Sequence, residues 1–281
     1  MHSVGVGTAP APSRLQRWAC GVAYAGTGFL GWQTQPGRAD GLVAIQDLIE
    51  PALGEIAGEP IATRCAGRTD AGVHALSQVI QFDSPVLRPA TAWTHGTRAR
   101  LPATVRIRWA RPVRADFDAR FDARERIYHY LIGDGGAISP LWLGRCASSA
   151  RALDLERLEA ASSVLVGRHD FSAFRSSECQ ANSPIRTVRE IRWRRQRGFV
   201  LMAIRADAFL HHMVRNLVGS LVYVGDGRRD TDWLKAVLEG GERALAAPTF
   251  DAAGLYLAGV RYDSGDDLPS DACELDLAAL A

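Results

Sequence analysis

One short segment combines a carboxylate, a guanidinium and a hydroxyl between glycines, in the run Ala66-Gly-Arg-Thr-Asp70-Ala-Gly-Val-His74. The run follows a predicted strand, and its glycines give the backbone freedom for an unusual turn. Asp70 beside Arg68 has the chemistry of a nucleophile or a general base. A solvated aspartate in an ordinary turn is the simpler interpretation of the composition alone. The loop holds a single acid, so a paired-carboxylate glycosidase arrangement is not evident locally.

A second candidate is Arg215, which interrupts a largely apolar segment. The spacing predicts a helix over residues 208–224, with Asp207 as its N-cap. A buried arginine needs an acidic partner, whereas an arginine at the helix edge could reach solvent. His211 and His212 would point about 100° apart on a helix. We therefore expect no metal ion to be held by this histidine pair.

A glycine-rich segment, Gly26-Thr-Gly28-Phe-Leu-Gly31, matches the pattern of dinucleotide-binding loops and follows a predicted strand. Such a site needs a helix that begins at the glycines, and the run from Trp32 to Gly37 is a poor helix start. The pattern therefore predicts a glycine-rich loop without a cofactor. The five cysteines lie far apart without a CxxC pair, so neither a zinc site nor a disulfide framework is indicated.

Arginines are concentrated in two stretches, nine between residues 98 and 126 and six between residues 186 and 197. Alternate residues of a strand lie on one side of it, so each stretch predicts a ridge of positive charge. A solvated surface is the default interpretation, and two such ridges favour nucleic-acid binding as the alternative. The ridges are formed by Arg106 with Arg108 and by Arg192 with Arg194.

The charge of the chain is unevenly distributed. Residues 263–281 contain six acids and no Lys or Arg, so residues 1–262 carry a formal charge of +8, from 33 basic and 25 acidic residues. A basic body suits a polyanionic partner. No apolar run approaches the ~20 residues of a membrane span, and residues 1–14 lack the charged start and apolar core of a signal peptide. We expect a cytoplasmic protein.

Strands in neighbouring pairs, with helices between them, are predicted around these candidate residues. Apolar residues over 127–132 predict a central strand, and Gly198 separates two predicted strands of a hairpin. Helical spacing over 43–56 predicts a first helix, with Pro51 as a kink or break. This pattern indicates an α+β fold with mainly antiparallel sheet in two similar halves. We predict an arm at 1–14, domains at 15–113 and 114–262, and an acidic tail at 263–281.

Taken together, these segments resemble the tRNA pseudouridine synthase A family from about Trp18 to Tyr262. The strongest element is the run from Ala66 to His74, which is similar to the family's active-site loop. Asp118 departs from the family pattern, where a histidine is usual. The supporting segments follow in family order, and they are Gly31-Trp32-Gln33, Leu101-Pro102, Phe117 to Phe121, Arg126-x-Tyr128-x-Tyr130, Asp170-Phe171-x-x-Phe174, Ser183-Pro184-x-Arg186-Thr187, Phe209 to Gly219 and Gly254-Leu255-Tyr256-Leu257.

The resemblance implies two ferredoxin-like halves with a catalytic cleft between them, and a homodimer whose chains together hold one tRNA. It implies isomerisation of uridines in the anticodon stem-loop, at tRNA positions 38 to 40, without a metal or organic cofactor. Asp70 would be the nucleophile. It must be ionised in a nearly dry pocket although burial raises the pKa of a carboxyl, and a buried cation, Arg215, is the physical remedy.

The resemblance also suggests roles for other residues. Tyr128 would stack on the uracil and take the C5 proton, Arg68 would fill the space that the flipped base leaves, and Leu255 would line the apolar wall. The further candidate tRNA contacts are Arg88, Phe117, Arg120, Phe121 and the segment Glu178, Cys179, Gln180, Ala181 and Asn182.

Two alternatives from other classes stay open. One is a non-catalytic RNA-binding protein built from the same halves, although such modules usually expose aromatics on the sheet, and these strands are rich in arginine. The other is a hydrolase that uses Asp70 on a glycosidic or phosphate bond. Free uracil or phosphate among the products would reveal the hydrolase, and an inert Asp70→Ala substitution would favour the binding protein.

Overall fold

A computed structural model describes residues 15–34, 41–136, 138–269, 273 and 275. In this part of the chain, ten strands form one sheet with helices packed against it. The strands are β1 (Gln16–Tyr24), β2 (Arg64–Cys65), β3 (His74–Ser84), β4 (Val105–Pro112), β5 (Glu125–Gly133), β6 (Ala147–Ser148), β7 (Gly167–Asp170), β8 (Ile185–Gln196), β9 (Phe199–Ala206) and β10 (Leu255–Arg261). The helices are α1 (Ile45–Ala57), α2 (Ala90–Thr94), α3 (Leu155–Leu165), α4 (Met213–Gly225) and α5 (Thr231–Gly240).

The order of strands across the sheet repeats itself. The sheet runs β4-β1-β3-β10-β5-β9-β8-β7, with the short β2 beside β3 and β6 beside β5. The N-terminal strands in the order β4-β1-β3-β2 correspond to the later strands in the order β10-β5-β9-β8, and each set follows the strand–helix–strand–strand–helix–strand pattern of a ferredoxin-like unit. All these pairings except β10 with β3 and β5 with β6 are antiparallel. The predicted α+β fold in two similar halves is therefore confirmed.

The last strand in the chain joins the two halves. β10 pairs in parallel with β3 of the first half, where Tyr256 lies opposite His74, and antiparallel with β5, where Leu255 lies opposite Tyr130. The loop that leads into β3 and the segment that leads into β10 therefore meet where the halves join, and His74 Nε2 lies 3.2 Å from the carbonyl oxygen of Ala253. The predicted domain boundary at residue 113 falls in the connection between β4 and β5 and stays a prediction.

The first helix continues through Pro51, where the sequence predicts a kink or break. α1 runs from Ile45 to Ala57, and its apolar positions, among them Ile49 and Leu53, are fully buried. Pro51 lies on the exposed side of the helix, as does Asp47, whose carbonyl loses its usual N–H donor there. Water can hydrate that carbonyl, so the apolar face continues across the proline.

The predicted helix over 208–224 begins later than expected, at Met213. Asp207 does not cap it; its Oδ1 accepts the N–H groups of Ala208 and Thr187 at 2.6 and 3.1 Å. His212 has a left-handed backbone with φ of 61°, a conformation that is uncommon for residues other than glycine. The segment from Ala208 to His212 is therefore a loop that approaches the site from outside the helix.

The described residues of the acidic tail contact the body of the protein. Asp263 and Asp266 form ion pairs with Arg124 and Arg114. Leu275 is buried in an apolar cluster with residues of β5, β9 and β10. The predicted arm at 1–14 lies outside the described residues, as do residues 270–272, 274 and 276–281 of the predicted tail. None of the helices found among the described residues has the length and apolar character that crossing a membrane requires.

Candidate active site

The loop from Ala66 to Val73 is fastened at two residues that precede Asp70. The hydroxyls of Thr69 and Tyr24 lie 2.8 Å apart, inside the core. The carbonyl of Gly67 accepts a hydrogen bond of 2.6 Å from the side-chain amide of Gln78 on β3. Thr69 is buried, whereas the Asp70 side chain keeps 22% of its surface exposed. The loop therefore presents Asp70 from a fixed backbone.

The glycine-rich segment packs against this loop. The N–H of Trp32 donates to the carbonyl of Thr69 at 3.0 Å. A Cβ atom on Gly31 would lie 2.4 Å from the same oxygen, and one on Gly26 would lie 2.0 Å from the carbonyl oxygen of Val73. Both distances are far below contact distance, so only glycine fits at these two positions. The pattern that resembles a dinucleotide loop supports the Asp70 loop by close backbone packing.

The carboxylate of Asp70 has three cationic or titratable neighbours. Nη1 of Arg215 on α4 lies 3.0 Å from Oδ2, His211 Nε2 lies 3.4 Å from Oδ1, and His212 Nε2 lies 3.3 Å from Oδ2. Nε of Arg215 also donates to the carbonyl of Phe250 at 2.9 Å, which fixes the guanidinium plane. The structure thus brings together Asp70 and the arginine that the sequence argument pairs with it.

The geometry predicted for the two histidines is wrong. They precede α4 instead of lying on it, their ring centroids are 4.0 Å apart, and both rings face Asp70. Asp70, His211 and His212 offer one ligand atom each within 4.8 Å of one another, an arrangement that could hold a metal ion. The Arg215 guanidinium already contacts the same carboxylate, and its positive charge opposes a cation there. Helical periodicity alone gave no sign of this convergence.

The surroundings of Asp70 favour its ionised form. Burial raises the pKa of the carboxyl, but the contacts with His211, His212 and Arg215 together lower it below its ordinary value. The pKa of His211 is raised by its hydrogen bond to Asp70, whereas burial lowers the pKa of His212. In the site, the ionised carboxylate of Asp70 therefore faces the permanently charged guanidinium of Arg215 and the imidazole of His211, which readily takes a proton.

Tyr128 and Leu255 are the residues predicted to form the apolar side of the site. Tyr128 lies on β5, packs edge-on against Phe209 at a centroid distance of 5.1 Å, and is buried. Burial raises the pKa of Tyr128 far above its ordinary value, and the charge of Asp70 raises it further. Leu255 is buried at the start of β10. The candidate catalytic residues Asp70, Tyr128 and Arg215 thus come from a loop, a strand and a helix.

The predicted tRNA contacts differ in accessibility. Arg68, Arg88 and Arg120 are exposed, and the Arg120 guanidinium lies 5.4 Å from the ring centre of Phe121, which is 72% exposed. Phe117 is fully buried and packs against the ring of Tyr262, so its side chain supports the segment from inside.

The segment 178–182 also mixes exposed and buried residues. Glu178, Gln180 and Asn182 are exposed, and Ala181 is half-buried. Cys179 is buried, and its sulfur accepts the N–H of His211 at 3.4 Å. This segment therefore borders the site through Cys179 and offers its polar side chains to solvent.

Arg126 is a residue of the site to which the sequence argument gave no role. Its half-buried guanidinium donates to the carbonyls of Ala66 at 3.0 Å, Asp207 at 2.9 Å and Arg120 at 2.6 Å. These carbonyls belong to the Asp70 loop, the loop before His211, and the segment that bears Phe121. One side chain therefore ties three loops of the site together. Its place in the Arg126-x-Tyr128-x-Tyr130 pattern was the only signal in the sequence.

The fold and the site define an α+β enzyme with one ionised carboxylate, paired with arginine, where two ferredoxin-like halves meet. A family model described as tRNA pseudouridine synthase matches residues 21–122 and 161–263. That match covers more than half of the chain. The protein therefore belongs to the tRNA pseudouridine synthase family, and its reaction class is isomerisation.

Individual relatives agree with the family assignment. A protein of Dechloromonas aromatica (strain RCB) named tRNA pseudouridine synthase A is 49% identical over 253 residues, which cover 90% of this chain and 95% of the relative. A protein of the same name from Thiobacillus denitrificans is 49% identical over 255 residues, or 91% of this chain and 96% of the relative. A chain in the crystal structure of a Cbf5-Nop10-Gar1 complex aligns with 15% identity and a TM-score of 0.33 over 74% of this chain and 45% of its own length, too weakly to carry an argument.

Proposed function

We propose that this protein converts uridine to pseudouridine in the anticodon stem-loop of tRNA, at positions 38 to 40, with Asp70 as the nucleophile. The observation that carries the proposal is the Asp70 carboxylate, held 3.0 Å from Arg215 and fixed by its loop. The name tRNA pseudouridine synthase A, given to relatives that match along almost their whole length, supports tRNA as the substrate. The positions within tRNA rest on the family resemblance.

The reaction breaks the N1–C1′ bond of uridine, turns the uracil and joins C5 to C1′. Reactant and product are isomers, so no electrons enter or leave. A carboxylate drives this change either by covalent attack on the sugar or base, or by removing a sugar proton on the way to a glycal. Both routes require Asp70 to be an anion when the substrate is bound. Arg215 keeps it ionised once the RNA has displaced water from the site.

Tyr128 is proposed to stack on the uracil. Its buried ring forms an apolar platform, and its raised pKa keeps the phenol neutral near pH 7. A neutral phenol that takes the C5 proton must pass on its own proton at the same time. Leu255, buried at the start of β10, is proposed to line the opposite apolar wall.

RNA binding is proposed to involve the exposed arginines around the site. The target base lies in a stem and must be flipped out, at a cost of a few kcal/mol. Arg68, exposed beside Asp70, is proposed to fill the vacated space. The proposed further contacts are Arg88, Arg120, Phe121, the segment 178–182 and the two arginine ridges, while Phe117 supports that surface from below. We further propose a cytoplasmic homodimer, which sedimentation at several protein concentrations would test.

The first test is tritium release from unmodified tRNA labelled at uracil C5. We expect release by the wild-type protein and by Asp232→Ala, a control at an exposed aspartate of α5, but none by Asp70→Ala. Sequencing of the product should map the new pseudouridine to the anticodon arm. Equal release by Asp70→Ala would overturn the nucleophile, free uracil would indicate a hydrolase, and binding of tRNA without release would indicate an RNA-binding protein.

A further inference from the structure

A polar cavity of about 580 Å³ adjoins the Asp70 site. His212 lines the cavity, and its Nε2 atom also lies 3.3 Å from the Asp70 carboxylate. Two guanidinium groups, those of Arg175 and Arg243, also face the space, together with the side chains of three serines and one threonine. No lining residue is an aspartate or a glutamate. The cavity is therefore a positively charged, hydroxyl-rich space one imidazole away from the reacting carboxylate.

The Arg243 guanidinium is held in place by neutral groups alone. Its Nη2 atom donates to the side-chain oxygens of Asn216 and Thr249, at 3.1 Å each, and its Nη1 atom donates to the carbonyl of Ala247 at 2.9 Å. Asn216 is fully buried, and its amide donates to the carbonyl of Phe174 at 2.9 Å, so its oxygen is oriented towards the arginine. This network fixes the guanidinium before any ligand arrives.

Both arginines of the cavity lack an acidic partner within the described part of the chain. No described carboxylate lies within 4 Å of Arg175 or Arg243, and burial lowers the pKa of Arg243. Arg175 donates to the carbonyl of Ala181 at 3.1 Å and to that of Cys179. Partial burial without an anionic partner is unfavourable for a cation, so an anionic ligand that enters the cavity gains a directed interaction with both guanidinium groups.

We propose that this cavity binds one phosphodiester group of the substrate RNA, next to the nucleotide whose uracil is isomerised. The proposal deepens the proposed function and rests on it, since it names the RNA group that docks beside the Asp70 site. Guanidinium groups match the geometry of phosphate oxygens, and hydroxyls and amides complete such sites. Every reacting nucleotide has a phosphate on each side, and His212 separates this second negative charge from the Asp70 anion.

The test is a cycle that combines a change in the protein with a change in the RNA. Stem-loop RNAs carry one uncharged methylphosphonate linkage immediately 5′ or 3′ of the target uridine. Each is compared with a matched phosphodiester RNA that has the same 2′-deoxyribose before that linkage. Wild type, Arg243→Gln and Arg175→Gln are compared with Arg157→Gln, a control on α3 whose guanidinium pairs with Asp154. The readouts are kcat/KM for pseudouridine formation and the Kd of each RNA in an Asp70→Asn background.

We expect one of the two uncharged linkages to weaken binding by roughly 10- to 100-fold, both in the protein that keeps Arg175 and Arg243 and in the Arg157→Gln control. This range corresponds to the loss of a hydrogen bond to a charged group. In Arg243→Gln the same linkage should cost less than about threefold, because its partner is already gone. Each ratio compares two RNAs on one variant, so a partly folded sample lowers both rates and leaves the ratio unchanged. Arg175→Gln should reduce the ratio in the same direction.

The proposal would be overturned if the uncharged linkage weakened binding by the same factor in Arg243→Gln as in the protein with both arginines. It would also be overturned if neither linkage affected wild type. Failure of the all-ribose stem-loop RNA to yield pseudouridine would instead count against the proposed function. The Kd cycle in the Asp70→Asn background would still decide the phosphate contact, and an RNA that does not bind at all would overturn it.

Discussion

Oδ2 of Asp70 lies 3.0 Å from Nη1 of Arg215, although 145 residues separate the two along the chain. Asp70 belongs to the loop that leads into β3 of the first half, and Arg215 belongs to α4 of the second. Neither half alone contains the pair, so the ionised state of the carboxylate depends on how the halves meet. The consequences of this contact can be measured separately from RNA binding.

Replacement of Arg215 should raise the pKa of Asp70. Burial raises the pKa of this carboxyl, and Arg215 is one of three groups that offset burial. In Arg215→Gln the acid limb of the kcat/KM profile should therefore move to higher pH, and turnover at neutral pH should fall by at least about tenfold. The Kd for tRNA should change by less than about threefold, since one of many charged contacts is lost.

Two further variants sharpen this experiment. Arg215→Lys keeps the charge but loses the second hydrogen bond to Phe250 and should have intermediate activity. Arg157→Gln removes a guanidinium that pairs with Asp154 on α3 and should behave as wild type. An Arg215→Gln enzyme with normal turnover and an unshifted pH profile would contradict the role of this residue.

His211 should stabilise the fold more at acidic than at alkaline pH. Its hydrogen bond to Asp70 raises its pKa above 6.5 in the folded state, so the folded protein holds this proton more tightly than the unfolded chain. The stabilisation is complete below pH 6.5 and is lost as the pH rises through the raised value. The lowered pKa of Asp70 acts only below its ordinary value of 3.8, outside this window.

Urea unfolding of wild type and His211→Gln at about pH 5.5 and about pH 8.5 tests this expectation. The difference in unfolding free energy should be larger at the lower pH, by less than about 1 kcal/mol because the pair is partly exposed and screened. His169→Gln, on the edge strand β7, should show no such trend. Equal differences at the two pH values would indicate that His211 does not share its proton with Asp70.

Two glycines of the glycine-rich segment form a matched pair for a test of loop support. Gly28 and Gly31 both have positive φ, at 82° and 93°, but a Cβ on Gly28 would meet nothing within 4 Å, whereas one on Gly31 would strike the Asp70 loop. Gly28→Ala should cost about 1–2 kcal/mol of unfolding free energy from backbone strain and keep turnover intact. Gly31→Ala should cost more and should also reduce kcat. Matching kcat values for the two variants would show that the loop tolerates the displacement.

Binding of tRNA should weaken steeply with salt. Phosphate contacts release bound counterions, so log Kd should rise linearly with log salt concentration. Arg192 is 76% exposed on β8, and Arg192→Gln should reduce that slope by about 1 if it contacts a phosphate. Lys235→Gln, a comparably exposed cation on α5, serves as the control. A flat salt dependence of wild type would exclude the arginine ridges as a docking surface.

The sequence predicted those parts of the fold that depend on local patterns. Apolar residues over 127–132 predicted a central strand, and β5 lies in the middle of the sheet. The predicted hairpin around Gly198 is confirmed by β8 and β9. These features need only neighbours in sequence, so the apolar pattern and the position of a glycine are sufficient to predict them.

Features that depend on distant contacts could not be predicted in the same way. Helical spacing extended α4 back to Ala208, because periodicity gives no information on the positive φ of His212 that ends the loop before the helix. The same error led to the prediction that His211 and His212 point about 100° apart, whereas both face Asp70. Similarly, Pro51 is tolerated because its side of α1 faces water, a fact set by tertiary packing. The pairing of Asp70 with Arg215 followed from the need of a buried anion for a cation, a physical requirement with no local pattern.

The position of β10 has a consequence for synthesis of the protein on the ribosome. Its residues, such as Leu257, lie between β3 and β5 and are translated after all the other strands. Until Tyr256 can stack on His74, at a centroid distance of 4.5 Å, the two halves have no shared strand. A nascent or prematurely terminated chain therefore exposes two open strand edges and has no assembled reaction centre. The last strand to be translated therefore completes the sheet that joins the two halves.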